Sequence, residues 1–492
     1  MRLRNFFVLT FFSLSLSLSY PAAAQAVWPS FADLAEKLIP SVVNISTTHD
    51  KNDPAEESGD IDNNIETTVD SIFNAPLTNK VSLGSGFIIS ADGFIITNNH
   101  VIDKADTISV TLADNRTVEA KLVGRDPKTD IALIKIDTTT KLKPVSFGNS
   151  DKIRVGDWIL AIGNPFGLGG SVTAGIVSAK SRDIESGPYD SFIQTDASIN
   201  QGSSGGPMFN LDGEVIGVNT AIFSTNGGSM GIGFAIPVNL IDFVIKQLKA
   251  HGEVRRGWIG IKMQPNSADM ASSLGLPDNQ GVIISEVPEN SSAAKAGIKA
   301  GDIILKFDGH QIDNTKNLSR MVAETAIGKL AEVEIWRNNQ KQILKVTVEK
   351  MPETPVVKKE NPQTENPEVS DIVIEETEMI TSPAAQDLGI VLEEINGENI
   401  HKYNLPEASS GMIVTEVAAG SDAARKGIKT GDIITQIDKK PIVDAQDVSR
   451  LVNEAIMENK RPVLLLVKDG EQLHFVAVKL SSTTENTEKE IQ

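Results

Sequence analysis

A chain of 492 residues is too long for one hydrophobic core and predicts about three domains. Its 40% hydrophobic and 23% charged content is globular in character, which excludes collagen-like and wholly disordered chains. The net charge of −19 excludes a nucleic-acid partner held by clustered Lys and Arg, and the lack of any cysteine excludes disulfides, leaving stability to core burial and oligomerisation.

The N-terminus opens with Arg2 and Arg4, continues through an apolar run from Phe6 to about Ser19, and reaches small residues at Ala22, Ala23, Ala24 and Ala26. This pattern predicts a secretory signal peptide over residues 1–26, cut after Ala24 or Ala26, and hence an exported chain. The run is too short and Ser-rich for a membrane span, and no later segment approaches that length, so no transmembrane segment is expected in the mature form. Next, Trp28, Phe31, Leu34 and Leu38 recur at near-helical spacing. Residues 49–81 are acidic and polar, and long for a loop in a compact barrel; they read as a disordered insert or a regulatory arm.

Between Val42 and Ile236 come short β-branched runs broken by Gly, Asn and Asp, among them VVNIST, GSGFIIS, GFIITNNHVI, DIALIKI and WILAIG. Many short strands at this spacing predict an all-β barrel or sandwich. The segment PVNLIDFVIKQLKAHG has helical periodicity and a stop at Gly252, which closes a first domain over residues 27–252. Behind it, residues 281–312 match residues 411–442 at about half of positions without a gap. Two copies are too few for a solenoid, so each is read as a self-sufficient domain, over residues 253–350 and 379–480. Residues 351–378 form a Pro- and Glu-rich linker, and residues 481–492 a disordered acidic tail.

Three segments of the first domain carry candidate chemistry: TNNHVI with His100, KTDIALIKI with Asp130, and QGSSGGP with Ser204. A serine hydroxyl needs an adjacent base to act as a nucleophile at neutral pH, and imidazole suits that task. A carboxylate then fixes the imidazole's tautomer and steadies its cation. The tight turn around Ser204 points backbone N–H groups at a developing oxyanion, with Gly202, Ser203 and Ser204 as the candidate hole. The chain order His, Asp, Ser separates the double-barrel serine proteases from the subtilisin and α/β-hydrolase orders.

With these residues, and with GNPFGL, SVTAGIVSA, QTDASINQGSSGGP and GIGFAIP, the chain resembles the HtrA/DegP family of serine proteases from just after the signal peptide to about Leu480. The resemblance implies a mainly β fold: a chymotrypsin-like double β-barrel followed by two α+β PDZ domains. One departure is Ser203, where the family usually has Asn. A tryptic pocket carries Asp six residues before the nucleophile, and Ser198 stands there instead. The facing wall is expected from Ala221, Ile222, Ile232 and Phe234, giving a small apolar pocket that prefers Val, Ala or Ile. Activation is expected from rearrangement of loops 164–169 and 183–190, as the family resemblance implies.

In the repeats, Trp258, Ile259, Gly260 and Ile261 resemble a PDZ carboxylate-binding loop, whose N–H groups cap a peptide C-terminus while the peptide adds a strand. Leu388, Gly389, Ile390 and Val391 stand in the corresponding place of the second copy. The resemblance further implies trimerisation through N-terminal aromatic residues. The function expected is ATP-independent degradation of misfolded exported proteins in the periplasm, with added chaperone activity. Unfolded polypeptides and C-terminal peptides are the expected partners. No Walker loop, HExxH helix or Cys cluster points to a cofactor or metal.

Overall fold

The structure is a computed structural model that describes residues 30–49, 80–164, 170–224, 228–352, 383–406, 409–458, 462–470 and 472–481. The expected signal peptide lies outside the described residues, as do Trp28 and nearly all of the acidic insert, the linker, the tail and loop 164–169.

Short helix α1 (Ala32–Leu38) leads into the first barrel. Its strands are β1 (Val42–His49), β2 (Lys80–Ile88), β3 (Phe94–Asn98), β4 (Thr107–Thr111), β5 (Thr117–Asp126) and β6 (Ile131–Ile136), closed in the order β1-β2-β3-β6-β5-β4. Several strands are apolar on both faces, for a visible reason. Val43, Ile88, Ile95 and Ile134 fill the barrel, while their neighbours Val42, Phe87, Ile96 and Leu133 turn outward into a second core. Side chains alternate across a strand, so burial on both sides produces continuous apolar runs.

The second barrel uses β8 (Trp158–Gly163), β9 (Ser171–Arg182), β10 (Phe192–Thr195), β11 (Pro207–Phe209), β12 (Glu214–Ile222) and β13 (Gly233–Pro237), closed by the β11–β12 pairing, with β7 (Ser146–Phe147) added parallel to β12. Leu160, Ile162, Phe209 and Ile236 meet the outward face of the first barrel in the shared core. The helix expected after the barrels is α3 (Val238–His251), following the single turn α2 (Asn99–Ile102) that carries His100. It buries Leu240, Ile241, Val244 and Leu248 in the same core. Gly252 ends it with φ 71°, in the left-handed region that favours glycine, and its N–H reaches the Leu248 carbonyl.

Each repeat folds around its own sheet. The first contains β14 (Gly257–Trp258), β15 (Lys262–Pro265), α4 (Ala268–Ser273), β16 (Val282–Glu286), α5 (Ser292–Lys295), β17 (Ile303–Phe307), β18 (His310–Gln311), α6 (Thr315–Glu324), β19 (Leu330–Arg337), β20 (Gln340–Thr347) and β21 (Glu349–Lys350), with sheet order β15-β16-β17-β19-β20. The second repeats the order with β22 (Ile390–Glu394), β23 (Met412–Val417), β24 (Ile433–Ile437), β26 (Val463–Asp469) and β27 (Gln472–Val478), after α7 (Gly397–Lys402), α8 (Asp422–Arg425), β25 (Lys440–Pro441) and α9 (Ala445–Met457) are set in their places along the chain.

The repeats dock on one another, which the sequence did not foretell. Ala271, Leu274, Leu276, Ile283, Ile303 and Leu305 of the first form one buried cluster with Leu464, Leu466, Phe475 and Ala477 of the second. The Gln264 side chain caps the seam like a short strand: its amide N–H donates to the Phe475 carbonyl at 2.9 Å, and its carbonyl accepts the Phe475 N–H at 2.7 Å. Lys426 pairs with Asp269 at 2.6 Å, and this ammonium holds the Asp269 carboxyl below the usual carboxylate range.

Candidate active site

His100 sits on α2, directly after β3, and Asp130 sits in the turn between β5 and β6. The β3–β6 register pairs Asn98 with Ile131 and so brings the two side chains side by side. His100 Nδ1 lies 2.7 Å from Asp130 Oδ2, and the backbone N–H of His100 donates to Asp130 Oδ1 at 2.9 Å. The Thr220 hydroxyl donates to Asp130 Oδ2 at 2.7 Å. Three donors therefore fix the carboxylate, and it in turn sets the plane and tautomer of the imidazole, with Nδ1 carrying the proton and Nε2 left for chemistry.

Asp130 has φ 55°, a left-handed conformation unfavourable for a residue with a β-carbon. Its carbonyl accepts from the Asn98 side-chain amide at 2.8 Å and the Asn99 N–H at 3.0 Å, and these bonds hold the strained turn in place. Sequence reasoning gives Thr220 no role at the triad and passes over Asn98. Their signal is a polar residue inside an otherwise buried strand: both are shielded from solvent, within FIITN and EVIGVNTAI.

Ser204 is half-buried in the turn before β11, and its hydroxyl donates to the Thr220 carbonyl at 3.4 Å. Among the described residues no hydrogen bond joins Ser204 to His100. Gly202 and Gly205 flank it with φ 83° and 84°. At Gly205 a β-carbon would lie 2.2 Å from the Ser85 carbonyl oxygen and 2.4 Å from the Thr97 hydroxyl, so the close approach of the first barrel requires glycine there. The Ser203 N–H is used within the turn, donating to the Asn200 carbonyl at 2.9 Å. The N–H groups of Gly202 and Ser204 have no such partner among the described residues.

A cavity of about 320 Å³ opens beside the His–Asp pair, lined by His100, Asp130, Ser186, Tyr189, Thr220 and Ala221 among others. Burial pushes the Tyr189 phenol above its ordinary value. The residues expected to form one specificity pocket are spread over several environments. Ser198 opens on a small cavity of about 80 Å³ with Thr173, Asn200, Ser203 and Asn219. Ala221 faces the His100 cavity, Ile222 packs on the core of the second barrel, and Ile232 packs on the inter-barrel core. Phe234 is buried there, edge-on to Phe192 at 6.2 Å.

The two loops expected to bind a carboxylate share a left-handed glycine against a serine side chain. Ile259 is buried, its carbonyl accepting the Ala293 N–H at 2.8 Å and the Ser292 hydroxyl at 3.2 Å. Gly260 has φ 75° and Gly389 φ 73°; a β-carbon on either would collide with the side chain of Ser291 or Ser421. Trp258 and Ile261 flank the first loop, and Leu388, Ile390 and Val391 form the second.

The first repeat meets the protease barrels at two points close to the site. Arg256 forks onto Asp126, with Nη1 donating to Oδ1 at 3.0 Å and Nη2 to Oδ2 at 2.5 Å, and its guanidinium lies 4.6 Å from the centre of the Tyr189 ring. Lys316, on α6, pairs with Asp183 and donates to the Gly187 carbonyl at 3.2 Å. The lysine holds the Asp183 carboxyl below the usual carboxylate range.

Comparison with known proteins places the domains in known families. Residues 84–218 match the trypsin-like peptidase domain, and residues 257–348 and 413–467 match PDZ domains. A probable periplasmic serine endoprotease DegP-like of Brucella suis is 42% identical over 82% of this chain and 74% of the relative. One of the same description from Rickettsia conorii is 41% identical over 93% of this chain and 90% of the relative. Among solved structures, the HtrA-type protease AlgW with a tripeptide superposes with a TM-score of 0.56 at 40% identity, covering 67% of this chain and 99% of that one. The chain therefore belongs to the DegP-like serine endoproteases of the HtrA type, and is a serine endopeptidase built from a chymotrypsin-like double barrel and PDZ domains.

Proposed function

We propose that His100, Asp130 and Ser204 are the triad of an ATP-independent endoprotease that degrades unfolded exported polypeptides in the periplasm, with a chaperone activity of the same chain. The observation that carries this reading is the Asp130 carboxylate, fixed by three donors with His100 at the mouth of a cavity and the Ser204 turn alongside. In this reading Ser204 Oγ attacks the scissile carbonyl carbon as His100 Nε2 takes its proton. The oxyanion collects on the N–H groups of Gly202 and Ser204; the proton then passes from His100 to the leaving amine, and water repeats the cycle on the acyl-enzyme. Mass spectrometry of peptides released from an unfolded model protein tests it: many products ending in Val, Ala or Ile are expected, and an absence of cleavage would end the reading.

Ser198 in place of a tryptic Asp supports the non-tryptic preference, and of the expected wall residues Ala221 lines the cavity beside His100. A chromogenic peptide ending in Val is expected to be cut at least about tenfold faster than the same peptide ending in Arg. Equal rates would remove the pocket assignment.

The first PDZ groove is proposed as the recruiting one, on the contrast between the repeats. Between edge strand β15 and helix α6, Ile261, Met263 and Met321 are half-exposed. Their counterparts Ile390, Leu392 and Leu451 in the second repeat are buried. Met321→Glu is expected to lower kcat/KM for a long unfolded chain about tenfold while short-peptide turnover stays within about twofold. The Lys316 contacts with loop 183–190 support coupling of this groove to the active site.

Self-association is supported by the outer face of the second barrel. Trp158 is 43% exposed there, its ring tilted against Phe31 at 5.7 Å, beside Leu211 and a cavity of about 720 Å³. A trimer through this face is the proposed assembly. Among the described residues no helix is long and apolar enough to cross a membrane. We assign residues 1–26 to the signal peptide, 27–252 to the protease domain, and 253–350 and 379–480 to the PDZ domains, joined by the 351–378 linker.

A further inference from the structure

Ser85, on β2 of the first barrel, is fully buried, yet its side chain is polar and lies among apolar neighbours in the run GSGFI. Burying a hydroxyl is costly unless its hydrogen bonds are made, so its partners show what it serves. Among the described residues it has two, both in the second barrel. Ser85 Oγ donates to the Gly202 carbonyl at 2.5 Å, and it accepts the backbone N–H of Asn164 at 2.8 Å. The backbone of the same residue reaches the nucleophile, its N–H donating to the Ser204 carbonyl at 2.8 Å. Its own carbonyl accepts the Thr97 hydroxyl at 2.8 Å, which keeps the strand from rotating.

The Gly202 carbonyl belongs to the peptide unit between Gly202 and Ser203. That unit stands between the two N–H groups assigned to the oxyanion, on Gly202 and Ser204. Its N–H end is held by the Asn200 carbonyl at 2.9 Å, and its carbonyl end is held by Ser85. With both ends fixed the unit cannot flip, and it anchors the Cα atoms of Gly202 and Ser203, to which the peptide units carrying the two donors are joined. Gly202, at φ 83°, would otherwise be free to rotate, because glycine has little steric preference between conformations. Asn164, the last described residue before segment 165–169, is held by the same hydroxyl, and its carbonyl accepts from the Asn44 side-chain amide at 3.0 Å.

We infer that Ser85 is a positioning residue for the oxyanion hole: its hydroxyl, placed by the first barrel, holds the Gly202–Ser203 peptide so that the flanking N–H groups meet the tetrahedral intermediate. The inference rests on the assignment of Ser204 as nucleophile and of Gly202 and Ser204 as oxyanion donors. Its effect belongs to the transition state and leaves ground-state binding alone.

The test compares two inhibitors on wild type and Ser85→Ala. A peptide boronate ending in the boron analogue of Val adds Ser204 Oγ to boron, the serine proton passing to His100, and forms a tetrahedral anion with one oxygen in the hole. The product peptide ending in Val carboxylate fills the same subsites without that geometry. Ser85→Ala is expected to lower kcat about 10- to 100-fold with KM within about twofold, and to weaken the boronate by a similar factor while the product peptide binds as before. The ratio of the two inhibition constants does not depend on how much protein is folded, so it separates positioning from lost stability. An unchanged ratio overturns the inference, even if activity falls. Failure of the boronate to inhibit the wild type overturns the nucleophile assignment and this inference with it.

Discussion

Ser204→Ala is expected to reduce turnover of an unfolded protein by at least about 10⁴-fold, because the nucleophile, base and carboxylate act as a unit and loss of the serine forfeits covalent catalysis. The fold should be undisturbed. The Ser204 hydroxyl makes one long bond, 3.4 Å to the Thr220 carbonyl, and the turn is held instead by backbone bonds to Ser85 and Asn219. The measurement is release of acid-soluble peptides, run beside light scattering of a second, aggregating protein. Lost degradation with retained protection against aggregation would establish the chaperone activity separately from the protease. Unchanged degradation would remove Ser204 as nucleophile.

Arg256→Ala carries the second large effect, on stability. Asp126 and Arg256 form a bidentate pair with side chains 4% and 7% exposed, and the Thr129 hydroxyl also donates to Asp126. Removing the guanidinium leaves a buried carboxylate without its counter-charge, which costs about 3–5 kcal/mol. The energy comes from stranding a charge more than from losing an attraction, so the double replacement Asp126→Leu with Arg256→Met should recover most of it. Urea unfolding followed by the fluorescence of Trp158 and Trp258 would read the difference. If the single variant costs under about 1 kcal/mol, water reaches the pair and it behaves as a surface ion pair.

The features legible in the sequence were those written in neighbouring residues. His100, Asp130 and Ser204 each lie in a short segment with its own character, and their order names the barrel class. The repeats were legible because GVIISEV and GMIVTEV are similar at matching places, and helix α3 because its period is 3.6 and Gly252 stops it. What escaped were contacts between distant segments. Ser85 meets Asn164 and Gly202, 79 and 117 residues away, and Arg256 meets Asp126 across 130. No local pattern encodes such pairings. Phe234 illustrates the same limit: an apolar residue near a pocket and one filling a barrel look alike along the chain, and only the β10–β13 register decides that it meets Phe192. The docking of the repeats was hidden for a related reason. Leu464, Leu466 and Phe475 read as interior residues of their own sheet, but they are interior to a seam between two.

That seam makes the tandem one packed body. Ten apolar side chains interlock there and the Gln264 amide clasps Phe475, so the two repeats share one core and a pair of hydrogen bonds. The near repeat bears on the protease at Arg256 and Lys316, beside Tyr189 and loop 183–190. Packed contacts thus run from the second repeat through the first to Tyr189, on the wall of the catalytic cavity.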